Sequence, residues 1–160
     1  MKCPDYIRLP IVLVAIFTTT VMSSCKNSKP AEWHFTGFTE VRGYVVNEDD
    51  QYGQRGGLIL SDGSLNPTRS PQDGVLLTHK QVESLKEALM GDRPPEAVAA
   101  CFYPHHAFEF LDADGKRVAY VDICFSCIQH RGEPSGFGYI DYDKLGTLVR
   151  ELGLDYTPQK

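Results

Sequence analysis

The feature that most constrains this chain is a stretch where two apolar alternations meet at an Asp-Gly pair. Ala107–Leu111 and Arg117–Phe125 alternate with strand period, and Asp112-Ala113-Asp114-Gly115 lies between them. Alternation interrupted by Asp-Gly is a strong short-range signal for a β-hairpin. With Asp114-Gly115 as a two-residue turn, Glu109 faces Tyr120, Ala107 faces Asp122, and His105 faces Cys124. Cys101 then projects opposite Ile128, and a turn centred one residue earlier leaves this neighbourhood intact. Pro104 cannot donate a ladder hydrogen bond, so pairing is expected to fray there.

The pleat sorts the side chains. Phe108 and Phe110 share a face with Ala119, Val121, Ile123 and Phe125, which makes that the core face. His106 falls on this side as well. His105, Asp122 and Cys124 fall on the other face, and Cys101 joins them by extrapolation. Asp122 interrupts an apolar strand. It fits an acid on the polar face of a half-buried strand, with a buried acid, a partner to His105 or a metal ligand as alternatives.

Cys101, Cys124 and Cys127 therefore gather at the open end of one hairpin. Three chemistries suit them. A disulfide from Cys101 to Cys124 or Cys127 would brace the hairpin end and leave one thiol free. A metal site would take zinc or copper on the three thiolates, with His106, His105 or His130 as the fourth ligand and Asp122 nearby. Thiol-redox chemistry would use Cys124-Phe125-Ser126-Cys127. A thioredoxin-type pair opens a helix, whereas Ile128–Pro134 reads as loop. No cofactor is required by any other motif. There is no GxSxG, and no glycine loop with phosphate-binding spacing.

The same stretch resembles a group of small, uncharacterised bacterial exported proteins. Their pattern is Cys-x-x-Pro-Arg-His, a strand, a polar turn, a second strand, and Ile/Val-Cys-Phe-x-Cys. Here it stands as Cys101-Phe-Tyr-Pro104-His105-His106 and Ile123-Cys124-Phe125-Ser126-Cys127. His106 takes the motif's His place, while His105 departs from its Arg. The resemblance implies a shared local constellation and no particular activity.

The N-terminus reads as an export signal. Lys2 and Arg8 precede the apolar run Leu9–Phe17, which is interrupted only by Pro10. The run is shorter than the roughly 20 residues a membrane span needs, and it suits the apolar part of a signal peptide. Met22-Ser23-Ser24-Cys25 resembles the lipobox of bacterial lipoproteins. That resemblance implies removal of residues 1–24 and lipidation of Cys25 with palmitate-type chains. Lys26, where an Asp would signal inner-membrane retention, favours the outer membrane. Residues 25–32 read as a lipidated tether and 33–160 as one domain.

Composition fits such a domain. A charged fraction of 23% and an aromatic fraction of 11% exclude a disordered chain. A net charge of -5 without Lys/Arg clusters argues against nucleic acid as a partner. From Trp33 the chain is rich in β-formers, with bends expected at Gly37 and Gly43. Asn47–Gly57 reads as a solvated loop, Leu58–Leu60 as a short strand, and Ser61–Gly74 as irregular.

Two helices are signalled. Thr78 and Gln81 form a capping box ahead of Val82, Leu85 and Leu89, with Gly91 as the C-terminal cap and Pro94 beyond it. Asp141 caps a second stripe of Leu145, Leu148, Val149 and Leu152, stopped by Gly153. The expected fold is α+β. It has a mostly antiparallel sheet with a central hairpin at about 107–125 and packing helices at about 78–90 and 142–152. The expected protein is a lipid-anchored envelope protein, non-enzymatic, acting on an envelope partner by binding. A metal-binding or thiol-redox protein is the alternative.

Overall fold

The computed structural model describes residues 33–47, 57–92 and 99–155. The signal segment 1–24, Cys25, the tether, most of the Asn47–Gly57 loop and Pro94 lie outside the described residues. The described chain is α+β, with a five-stranded antiparallel sheet and two helices. The elements are β1 (Glu40–Val46), β2 (Arg69–Leu76), α1 (His79–Leu89), β3 (His106–Leu111), β4 (Arg117–Cys124), β5 (Gln129–Glu133) and α2 (Tyr142–Glu151). The sheet order is β2-β1-β3-β4-β5.

The central hairpin uses a longer turn than Asp-Gly alone implies. Asp112 N donates to Lys116 O at 2.9 Å, leaving Ala113-Asp114-Gly115 as a three-residue loop. Gly115 takes the left-handed conformation with φ 74°, the position such loops reserve for glycine. Asp112 Oδ1 ties the loop by accepting from Asp114 N and Lys116 N. Leu111 consequently pairs with Arg117, and a bulge at Val118 shifts the register by one residue. Beyond it Phe110 faces Ala119, Glu109 faces Tyr120, Ala107 faces Asp122, and His106 faces Ile123. The ladder reaches His105, whose N–H donates to Ile123 O at 3.2 Å.

Two strands lie where the sequence suggests irregular chain. Arg69–Leu76 pairs with β1 as an edge strand, broken by a shift between Gly43 and Val45 of β1. Gln129–Glu133 pairs with β4 along its whole length. Neither segment alternates in hydrophobicity, and neither has a fully buried residue; β2 is mostly exposed and β5 mostly half-buried. Hydrogen bonding to an already formed neighbour makes them strands. Leu58–Leu60 is less regular than expected, with only an isolated bridge from Ile59 to Leu65.

The helices are set by their caps. Thr78 accepts from Gln81 N, and Gln81 Oε1 accepts from Thr78 N at 2.9 Å. Asp141 Oδ1 accepts from Lys144 N at 3.0 Å. Gly153, with φ 67°, ends α2. Gly91 serves differently from the expected cap. Met90 is the C-cap of α1, and Gly91 does not take the left-handed conformation. A Cβ at Gly91 would overlap the Tyr139 carbonyl oxygen, so close strand approach requires glycine there.

Both helices cover one face of the sheet. Leu85, Ala88 and Leu89 of α1 join Leu145, Leu148 and Val149 of α2 over Phe108, Phe110, Val121 and Ile123. The opposite face is not left to solvent. Tyr44, Val46, Ala107 and Tyr120 form a second cluster beneath Leu58, with Ile59 and Leu65 packed against it. No helix among the described residues is long and apolar enough to cross a membrane.

Candidate functional site

The β4–β5 connection is the turn Phe125-Ser126-Cys127-Ile128, since Cys124 pairs with Gln129 across it. Ile128 takes φ 54°, a conformation β-branched residues rarely adopt. The turn brings Cys124 and Cys127 to a Cα separation of 5.3 Å, inside the usual disulfide range, and the two are bonded. Both sulfurs are buried, and each has hydrogen-bond partners. Cys127 N donates to Cys124 Sγ at 3.2 Å, and Ser126 Oγ lies 3.5 Å from the same sulfur. Tyr103 N donates to Cys127 Sγ at 3.4 Å.

This pairing replaces the expected long-range link from Cys101. Cys101 is an exposed free thiol. It sits in a strap, residues 99–105, that crosses the disulfide turn before entering β3. Ala99 N donates to Cys127 O at 3.0 Å, and Gln129 Nε2 donates to Ala99 O. The Arg131 guanidinium lies 5.5 Å from the Phe102 ring. A four-residue turn closes its own cysteines more readily than it captures one across the strap. The strap still keeps all three cysteines in one neighbourhood. The segment after the CxxC is strand β5 and not the expected loop, so the CxxC does not open a helix.

The zinc or copper set does not assemble. Cys124 and Cys127 are bonded to each other, so neither is a free thiolate ligand. Among the described residues, no three His, Cys, Asp or Glu side chains come together as a metal-binding group. His106 and His130 flank Ile123 as cross-strand neighbours and share its core face, whereas Cys124 belongs to the opposite face. His106 Nε2 is 2.8 Å from Leu154 O, and its ring meets Phe125 edge-on. Burial, opposed by the Leu154 carbonyl, lowers the His106 pKa. Burial also lowers that of His130, whose ring stands edge-on to Phe137.

Asp122 takes the buried-acid alternative and not the polar-face position expected first. It is fully buried, and Leu58 and Arg131 hold its two oxygens. Oδ1 accepts from Leu58 N at 2.7 Å, and Oδ2 meets Arg131 Nη2 at 3.2 Å. The carboxylate pins the covering segment to the sheet. Burial pushes its pKa up, while the Leu58 N–H and Arg131 pull it back. Glu109 forms a parallel tie: it accepts from Tyr44 OH at 2.9 Å and pairs with Arg117 at 3.3 Å. Both acids are accounted for by holding the second layer in place.

The open chemistry lies beside the disulfide turn. A cleft of about 570 Å³ is lined by His105, His106, Phe125, Ser126, Val149 and Arg150, with Gly146 and Asp155 completing it. Imidazole, hydroxyl, guanidinium and carboxylate groups thus surround an apolar wall, the usual make-up of a small-ligand pocket. No protein-family model, curated protein or solved structure matches this chain. The cleft and the cysteine turn therefore stand on their own geometry. His105 also reaches Val46 O through Nδ1 at 3.4 Å.

Arg150, Gly146 and Asp155 of the cleft carried no sequence signal. Gly146 is central in α2, where glycine disfavours helix by roughly 0.5–1 kcal/mol relative to alanine. An alanine Cβ there would meet only Arg150 Nη1 at 3.6 Å and Phe125 Cε1 at 3.7 Å, ordinary contacts. Gly146→Ala is therefore expected to raise stability by about 0.5–1 kcal/mol in urea unfolding while narrowing the cleft. A destabilised variant would show that the helix packs more tightly on Phe125 than these distances indicate.

Proposed function

We propose that this chain is a lipid-anchored protein of the bacterial cell envelope that acts by binding and not by catalysis. In this reading residues 1–24 are removed, Cys25 carries the acyl chains, and residues 25–32 tether one domain, 33–160, to the outer membrane. The hairpin at about 107–125 and helices at about 78–90 and 142–152 then serve as the platform for the cleft. The observation that carries the proposal is the buried Cys124–Cys127 disulfide, a feature suited to an oxidising, exported environment. It agrees with the Met22-Ser23-Ser24-Cys25 signal, and more than one acyl chain would make the anchoring stable.

The test is metabolic labelling with palmitate in a bacterial host, followed by detergent phase partition. The wild-type chain is expected to take the label and enter the detergent phase. Cys25→Ala is expected to lose both properties and to retain the uncleaved N-terminus. Labelling that survives Cys25→Ala, or an unlabelled wild-type chain, would overturn the anchor.

A further inference from the structure

We propose that Cys101, Cys124 and Cys127 form an intramolecular thiol–disulfide exchange site, in which the Cys101 thiolate attacks Cys127 Sγ and expels Cys124. This goes beyond the binding role and does not depend on the lipid anchor. Three observations support it.

The first is proximity. The strap is fastened to Cys127 on both sides of Cys101, by Ala99 N to the Cys127 carbonyl and by Tyr103 N to Cys127 Sγ. Cys101 is two residues from either fastening, so its sulfur is delivered when the strap between these two points turns the side chain inward. The second is access. The disulfide is buried, with Cys124 and Cys127 0% and 1% exposed, whereas Cys101 is exposed. The burial of the bond keeps external thiols from it, whereas the strap fastened over the turn carries an exposed thiol of its own. Exchange rates depend on such access and on which sulfur is attacked.

The third is the leaving group. Cys124 Sγ already accepts from Cys127 N at 3.2 Å and has Ser126 Oγ at 3.5 Å. The Cys127 N–H aimed at that sulfur stabilises it as a thiolate, and a more stable leaving thiolate departs faster. Cys124 is also held in the β4 ladder opposite Gln129, whereas Cys127 lies in the turn and can follow the strap.

The step is balanced within the chain. A Cys101–Cys127 bond forms and the Cys124–Cys127 bond breaks. The electron pair leaves on Cys124 Sγ, which takes up a proton equivalent to the one Cys101 lost. No external oxidant or reductant is consumed. The product ties the strap covalently to the turn and leaves a thiol on β4, at the turn whose Phe125 and Ser126 line the cleft.

Disulfide mapping tests this on the full chain purified in detergent without added thiol or oxidant. After incubation the sample is quenched in acid and alkylated with N-ethylmaleimide at mildly acidic pH. It is then cut with trypsin and chymotrypsin, because cleavage after Phe125 separates Cys124 from Cys127. The expected result is a Cys101–Cys127 cross-linked peptide with alkylated Cys124, forming more than tenfold faster at about pH 8 than at about pH 6. Cys124→Ser incubated with oxidised glutathione, which takes up the two electrons and is reduced to two glutathione thiols, is expected to form the Cys101–Cys127 bond, whereas Cys127→Ser treated in the same way should form no Cys101–Cys124 bond. Wild-type chain that keeps only the Cys124–Cys127 bond at every pH overturns the proposal, and this result needs no variant to fold. A Cys101–Cys124 bond in wild type or in Cys127→Ser overturns the assigned direction of attack.

Discussion

Phe108→Ala is expected to lower the unfolding free energy by about 3–5 kcal/mol, the cost of removing a fully buried ring from a packed core. Phe108 is central in β3 and fully buried, opposite Val121 and facing both helices. Its Cε1 would stand only 3.2 Å from a Cβ at Gly43, and Leu154 Cδ1 would stand 2.8 Å from the same point. β1, β3 and the segment after α2 therefore converge on one ring. A domain's whole stability is about 5–15 kcal/mol, so this one change removes a large part of it. Urea unfolding should show the lower midpoint, while Phe108→Leu should lose about 1.5 kcal/mol or less if neighbours repack. A loss below about 1 kcal/mol for the alanine variant would mean that β3 does not carry the core.

Asp122→Ala is expected to cost about 2–4 kcal/mol, because it strands the buried Leu58 N–H and releases the segment covering the second face. The Arg131 pair adds little to that figure, since Arg131 is half exposed. Asp122→Asn keeps an oxygen acceptor for Leu58 and is expected to lose at most half as much. The two variants also differ in pH behaviour. Burial raises the Asp122 pKa in the folded state above its usual value. The folded state therefore holds this proton more tightly than the unfolded chain does. The contribution of Asp122 to stability is complete below about pH 4 and declines as pH rises through the raised folded value. Asp122→Asn removes that decline, so its stability relative to wild type should improve as pH rises from about 4. The opposite trend would show that the Leu58 and Arg131 interactions outweigh burial.

These two residues also mark what local sequence can and cannot disclose. Phe108 belongs to a plain alternation around a turn, and its face follows from the pleat. The capping residues Thr78, Gln81 and Asp141 are equally local, because a side chain two or three residues from its partner needs no distant contact. Asp122 is the contrasting case. Period-two alternation places it on the face away from the helices but cannot reveal that Leu58 and its neighbours cover that face. Its partner Leu58 is distant in sequence, and nothing in either segment announces the other. β2 and β5 were hidden for a related reason. Arg69–Leu76 and Gln129–Glu133 are polar and carry Pro71 and Gly132, so their strand state comes from neighbours that supply hydrogen bonds.

The cysteines divide along the same line. The sequence alone determined the hairpin whose open end carries Cys124 and Cys127, because turn chemistry and alternation are short-range rules. Which cysteines bond was decided by tertiary structure. β5 folds back on β4 and closes a four-residue turn, which sets Cys124 against Cys127 while the strap carries the Cys101 thiol outward. The cleft was likewise settled only in three dimensions. His105 and His106 come from β3 and the residue before it, Phe125 and Ser126 from the turn, and Arg150 from α2. No local pattern links them. They meet because the apolar stripe of α2 must be buried against the sheet, and that packing sets its polar edge beside the disulfide.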